Sequence, residues 1–215
     1  MVSTNATGST VIISFQTKFP TFSDSDLDSV MTGLKYQRNP AKPERGGQSS
    51  GYFYTKDNTT VDVDWQNYIL NFRFFNSLNI EHVYSDVEKT LLALKIDPKS
   101  IALMGLDCRT MAHDVGVPSE HLTSLLSDNA KTRISKSLGF EPTVYSMVFV
   151  SKNPVDEDLQ IRIEPLVSNV NESFFIHVNY KTSSHKKFDA FIGKFGEDTI
   201  KGIATSMSED NGAKN

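Results

Sequence analysis

The chain has 215 residues, 38% of them hydrophobic and 22% charged, with a formal net charge of −4. That length fits one large domain or two small ones, and the composition excludes wholesale disorder. Residues 1–97 hold 9 Lys and Arg against 11 Asp and Glu, and residues 98–215 hold 13 against 15, so neither half is a basic domain built for phosphate backbones or anionic lipid.

Residues 1–9 are mostly small and polar and read as a flexible tail. From Thr10 the chain alternates, with Val11, Ile13 and Phe15 on one face, which predicts a strand ended by Pro20. The Ser/Asp-rich run 23–28 supplies caps for a helix, and Leu27, Val30, Met31 and Leu34 follow at i, i+3, i+4, i+7 as one apolar stripe. Residues 39–51, NPAKPERGGQSSG, interrupt regular structure with their prolines and glycines and are expected to form a mobile loop. A short strand over 51–56 and a turn at Asp57-Asn58 lead to 60–76, TVDVDWQNYILNFRFFN, the clearest alternation in the chain. Val61, Val63 and Trp65 point one way and Asp62, Asp64 and Gln66 the other. Tyr68, Leu70, Phe72 and Phe74 then share a face opposite Asn71 and Arg73. A helix over 81–95 turns Val83, Val87, Leu91 and Leu94 inward and stops at Asp97-Pro98.

The same order then begins again. Residues 100–110 are strand-like, and Pro118-Ser119-Glu120 opens a helix with Leu122, Leu125 and Leu126 on its first stripe and Gly139 as its C-cap. Strands follow over 143–151, 158–166 and 173–181, the last with Phe174, Ile176, Val178 and Tyr180 opposite Phe175, His177 and Asn179. A final helix over 184–207 carries Phe188, Phe191, Ile192, Phe195 and Ile203 on one face. The predicted fold is α+β, with two tandem repeats of strand, helix, three strands and helix at 10–97 and 98–207, and a second flexible tail at 208–215. Each repeat forms an antiparallel sheet with helices on one face, and whether the two sheets join is left open.

Reactive side chains are few. Cys108 is the single cysteine, which excludes an intramolecular disulfide and a Cys-based zinc site, and a reducing, cytoplasmic setting is expected. No charged leader with an apolar core is present, and no run approaches the roughly 18–20 apolar residues of a spanning helix. No HExxH, GxSxG, phosphate-loop or metal-ligand spacing occurs, so no metal and no cofactor is expected. Three groups remain as candidates. Asp62, Asp64, Arg73, Phe75, Phe175 and His177 fall on the strand positions opposite the core and would form a binding surface. Lys35, Tyr36, Arg38, Lys42 and Arg45 place cations and a stacking aromatic in one segment, which suits nucleic acid or an acidic partner. Cys108 with His113 and Asp114 would offer a nucleophile and base beside a pocket, for an enzyme or small-ligand carrier.

The duplicated order of strand, helix, antiparallel strands and closing helix over residues 10–207 resembles the TATA-binding-protein-like architecture. That resemblance implies one continuous curved sheet with helices on its convex side. The DNA-binding members of that family use a basic sheet face with paired Phe wedges. The corresponding polar positions here, Asp62, Asp64, Gln66, Glu164 and His177, point instead to a protein or cationic partner. The function expected is therefore non-catalytic binding or assembly through the exposed sheet face or strand edges, with a second copy of the chain among the partners. Nucleic-acid binding through the sheet and the 35–45 segment is the alternative.

Overall fold

The computed structural model describes residues 3–16, 22–40, 52–64, 66–76, 80–151 and 157–208. Along them run β1 (Ser3–Phe15), α1 (Asp24–Gly33), β2 (Gln37–Pro40), β3 (Tyr52–Lys56), β4 (Thr59–Asp64), β5 (Ile69–Phe75) and α2 (Ile80–Ala93). They continue with β6 (Ile101–His113), α3 (Pro118–Ser124), α4 (Asp128–Leu138), β7 (Met147–Val150), β8 (Glu157–Leu166), β9 (Asn169–Thr182), α5 (His185–Ile192) and α6 (Glu197–Ser208). The fold is α+β, and the strands form one open antiparallel sheet in the order β2-β3-β4-β5-β1-β6-β9-β8-β7. The two halves meet at β1 and β6, which pair from Ser3 opposite His113 to Phe15 opposite Ile101. Outward from that centre the order reads alike on both sides, β5-β4-β3 on one and β9-β8-β7 on the other, and the first half adds β2 at its rim.

Alternation puts the core on one face. In register across the sheet, Tyr54, Val61, Phe72, Val11, Leu106 and Tyr180 stand in a single row. None is more than 2% exposed. Leu27 and Met31 of α1, Val87 and Leu91 of α2, Phe188 and Ile192 of α5, and Ile200 and Ala204 of α6 belong to the same continuous core. A sheet with one apolar face must cover it, and the helices do so. Tyr180 stacks on Phe191 at 3.8 Å between ring centroids, and Phe191 on Phe195 at 5.2 Å, which seats the end of the chain on β9.

Local chemistry sets the boundaries. Ser23 caps α1 in a capping box with Asp26. Gly139, at φ 76°, ends α4 in the left-handed conformation that a side chain disfavours. Asp64 closes the β4–β5 turn by accepting the N–H groups of Gln66 (3.1 Å) and Asn67 (3.0 Å) and the Asn67 amide (2.7 Å). Asp86 on α2, 4% exposed, accepts from Lys56 Nζ of β3 at 2.7 Å and from the Tyr36 hydroxyl at 3.1 Å. That buried carboxylate ties β3, α2 and the α1–β2 connection together.

Several expectations need correction. Residues 3–9 are not a flexible tail, because they form the first half of β1 and pair with β6. The helix opened by Pro118 is two helices, since Ser127 caps a new start at Asp128. The last helix is also two, α5 ending at Gly193. The segment 39–51 is not wholly loop, as Asn39 and Pro40 pair with Phe53 and Tyr52 in β2. The strand expected over 143–151 contracts to Met147–Val150. Lys42, Arg45, Trp65, the tail from residue 209 and the side chain of Val83 lie outside the described residues. No described helix is long and apolar enough to cross a membrane.

Three buried phenols make stability sensitive to alkali. Burial, reinforced by the neighbouring carboxylate, raises the pKa of Tyr36 beside Asp86 and of Tyr84 beside Asp189, and pushes that of Tyr180 beside Glu157 up to about 12. An unfolded tyrosine loses its proton near pH ~10. Between that value and the folded one, the unfolded chain binds fewer protons, so stability falls as pH rises. Denaturant midpoints measured from pH 9 upward should decline beyond about pH 10, with part of the phenolate absorbance appearing only on unfolding. A flat midpoint with full phenolate absorbance in the folded chain would contradict this.

Candidate functional site

The sheet face away from the helices is composed by the same registers that build the core. One row runs Phe75, Gly8, Arg109, His177, Arg162 and Val148 across β5, β1, β6, β9, β8 and β7. The next runs Thr60, Arg73, Thr10, Asp107, Asn179, Gln160 and Val150. A third runs Asp62, Asn71, Ile12, Gly105, Lys181 and Asp158. In these rows only Gly105 is buried, and Phe75 is 47% exposed. Among the described residues no element lies over this face.

Two of its carboxylates are paired with basic side chains. Arg73 Nε is 3.3 Å from Asp62, which also accepts from Asn71 at 3.0 Å. Asp107 receives Arg109 Nε at 3.1 Å and His177 Nε2 at 2.7 Å. Arg73, Arg109, Arg162 and Lys181 thus share the face with Asp62, Asp64, Asp107, Asp158 and Glu164, a near balance of sign. Ile12, Ile69, Phe75, Leu103, Met111 and Phe175 lie among them as partly exposed apolar side chains. A surface of this kind, apolar groups framed by compensating ion pairs, has the composition of a protein contact.

The predicted binding residues Asp62, Arg73, Phe75, Phe175 and His177 all fall on this face, on three strands. Asp64 shares it but is occupied by the turn, and its three donors hold the carboxyl below the usual range, Asn67 foremost. Asp62 and Asp64 therefore do not act as a pair. Sequence reasoning missed Asp107, Arg109 and Arg162, whose signal was available in the alternation of β6 and β8.

The other two groups do not assemble. Tyr36 is 4% exposed with its hydroxyl on Asp86, so it offers no stacking surface, and Arg38 pairs with Asp28 at 3.5 Å. Lys35 sits at φ 67° in the turn after α1. Cys108 and His113 lie five positions apart on β6, hence on opposite faces and about 16 Å apart along the strand at ~3.3 Å per residue. Cys108 is buried on the helix side, where Ser9 Oγ donates to its sulfur at 3.3 Å, and burial pushes the thiol's pKa up. His113 Nδ1 meets Ser173 Oγ at 2.8 Å on the other side, and Asp114 is exposed at φ 60°. A nucleophile and its base are not brought together here.

The described residues with donor atoms near enough to share a metal are Glu88, His185 and Asp189, within 4.8 Å of one another between α2 and α5. In the structure His185 and Asp189 belong to a link between the two helices. His185 Nε2 contacts the Tyr84 hydroxyl at 3.1 Å and Asp189 at 3.4 Å, and that hydroxyl also donates to Asp189. This joins the closing helix of the first half to that of the second. No protein-family model matches the chain, and no curated protein is significantly similar to it in sequence.

Proposed function

We propose that the chain is a non-catalytic binding protein whose working surface is the open sheet face and whose partner is a protein. The observation that carries this reading is the uncovered face itself: a sheet backed by helices on one side, with nothing described on the other. On it, half-exposed apolar groups sit among charges of nearly equal number and opposite sign. Apolar side chains left open in such a patch mark contact surfaces. Alternating charges favour a protein over a polyanion, which needs one dominant sign. We also read the near-palindromic strand order as an internal duplication of the TATA-binding-protein-like kind, with the working face where that architecture uses it.

The test is quantitative co-purification from lysate with three proteins: wild type, Phe75→Ser/Phe175→Ser on the open face, and Leu92→Ser on α2 as an exposed control on the other side. The face variant should lose its partner about tenfold or more, the equivalent of ~1.4 kcal/mol, while the control retains it. Equal recovery by all three would overturn the reading.

One observation favours a second reading. Arg109, His177 and Arg162 are cross-strand neighbours in the row that starts at Phe75, and Phe175 stands two residues from His177 on β9, an arrangement of basic and aromatic side chains that suits single-stranded nucleic acid. Anisotropy titrations with single- and double-stranded DNA and RNA separate the two. Binding that falls with salt and is lost in Arg109→Ala/Arg162→Ala would establish nucleic acid as the ligand and remove the protein reading.

A further inference from the structure

The two rims of the sheet differ. At one, β2 reads Gln-Arg-Asn-Pro: Pro40 has no N–H to offer, and Arg38 carries a charge held by Asp28. Charges and prolines on rim strands are the usual defence against edge-to-edge pairing. At the other, β7 reads Met-Val-Phe-Val, with no charge and no proline. Val148 is 51% exposed, Phe149 44% and Val150 67%, and among the described residues no strand pairs with β7 except β8. This is also the rim at which the second half has one strand fewer than the first.

The direction of the free backbone groups follows from the ladder. Ser151 donates its N–H to the Leu159 carbonyl at 2.9 Å, so Ser151 and Leu159 form a hydrogen-bonded pair. The two-residue period of an antiparallel ladder then turns Phe149 and Met147 toward β8 as well. Val148 and Val150 direct their N–H and C=O groups outward, to the bare rim.

We propose that β7 pairs antiparallel with β7 of a second copy about a two-fold axis, making one sheet across a homodimer. Face and hydrogen bonding together restrict the pairing to registers that oppose a residue of β7 to its own counterpart, and the matching of side chains selects among them. Opposed residues must lie on the same face of the sheet, and outward backbone groups must meet outward groups. The register that opposes Phe149 to its counterpart meets both conditions. Val148 of each copy then exchanges backbone bonds with Val150 of the other, and the two Phe149 rings meet at a non-hydrogen-bonded position, where side chains approach closest. Val148, Phe149 and Val150 each find an apolar partner, Met147 falls opposite Ser151, and no like charges oppose. Pairing β7 with the β2 rim of another copy is disfavoured by Pro40 and Arg38, so the assembly closes as a dimer and does not run on as a filament. The contact is short, which makes the dimer weak and concentration-dependent.

This goes beyond the open-face reading and fails separately from it. Sedimentation over low micromolar to millimolar concentrations should show a reversible monomer–dimer equilibrium. Val148→Lys/Val150→Lys, which sets lysines against each other across the axis, should remain monomeric throughout with unchanged circular dichroism. Phe75→Ser/Phe175→Ser should dimerise as the wild type does, whatever becomes of its binding. Under mild oxidation, Phe149→Cys should give a disulfide-linked dimer, while Val167→Cys, on an exposed turn, should not. A wild type monomeric across the series, a dimer that survives the paired lysines, or crosslinking at 167 and not at 149 would each overturn the proposal.

Discussion

Replacing Phe72 with alanine is expected to remove about 3–5 kcal/mol of folding stability, the range for emptying a fully buried aromatic site. Phe72 is 0% exposed on the helix side of β5, directly between Val61 of β4 and Val11 of β1. Its neighbours are held by ladders on both sides, so the sheet cannot close over the gap. Phe72→Leu keeps most of the volume and should cost about 1 kcal/mol. Denaturant unfolding of both variants checks this through the midpoint at constant slope. Equal costs for the two would contradict the packing described.

Asp86→Ala is the second large expectation, a loss of about 3 kcal/mol, where breaking a buried pair by removing one partner typically costs ~3–5. The lower end applies because Lys56, whose ammonium lies 2.7 Å from Asp86, keeps 24% of its side-chain exposure and can turn toward water. The Tyr36 hydroxyl loses its acceptor at the same time. Lys56→Met removes the charge and keeps an apolar stem, so it should cost clearly less than Asp86→Ala. If the two variants unfold at the same midpoint, the carboxylate is not the group that joins β3, α2 and the α1–β2 connection.

Period-two alternation made the outer parts of the fold legible. Residues 60–76 and 158–181 announced their strands because each has one face in the core and one in solvent. The first residues of β1, STNATGS, carry no such contrast: they are held by the long neighbour β6, a partner about 100 to 110 residues away that no local window contains. The break between α3 and α4 was readable, since Ser127 ahead of Asp128 is a helix start, but the leucine stripe ran across it. β2 has no apolar alternation to announce it and owes its strand pairing to β3.

The candidate site shows the same division. Alternation assigned Asp62, Arg73, Phe75, Phe175 and His177 to the side away from the core, and the sheet puts them there. Which of them are neighbours depended on register, and register depends on β1 and β6 meeting at the centre. Only then do Arg109, His177 and Arg162 become one row and Asp107 the shared partner of Arg109 and His177. Tyr36 erred in the other direction: composition offered it to solvent, while the turn after Gly33, with Lys35 in the left-handed region, folds it back onto Asp86.

Photo-crosslinking in cells tests the central claim most directly. A photoreactive phenylalanine analogue placed at Phe75 or at Phe175 stands on the open face, and one at Leu92 stands on the exposed side of α2. The account predicts covalent protein adducts of defined mass from both face positions and none of the same mass from position 92. Adducts to nucleic acid from the face, or identical adducts from all three positions, would contradict it.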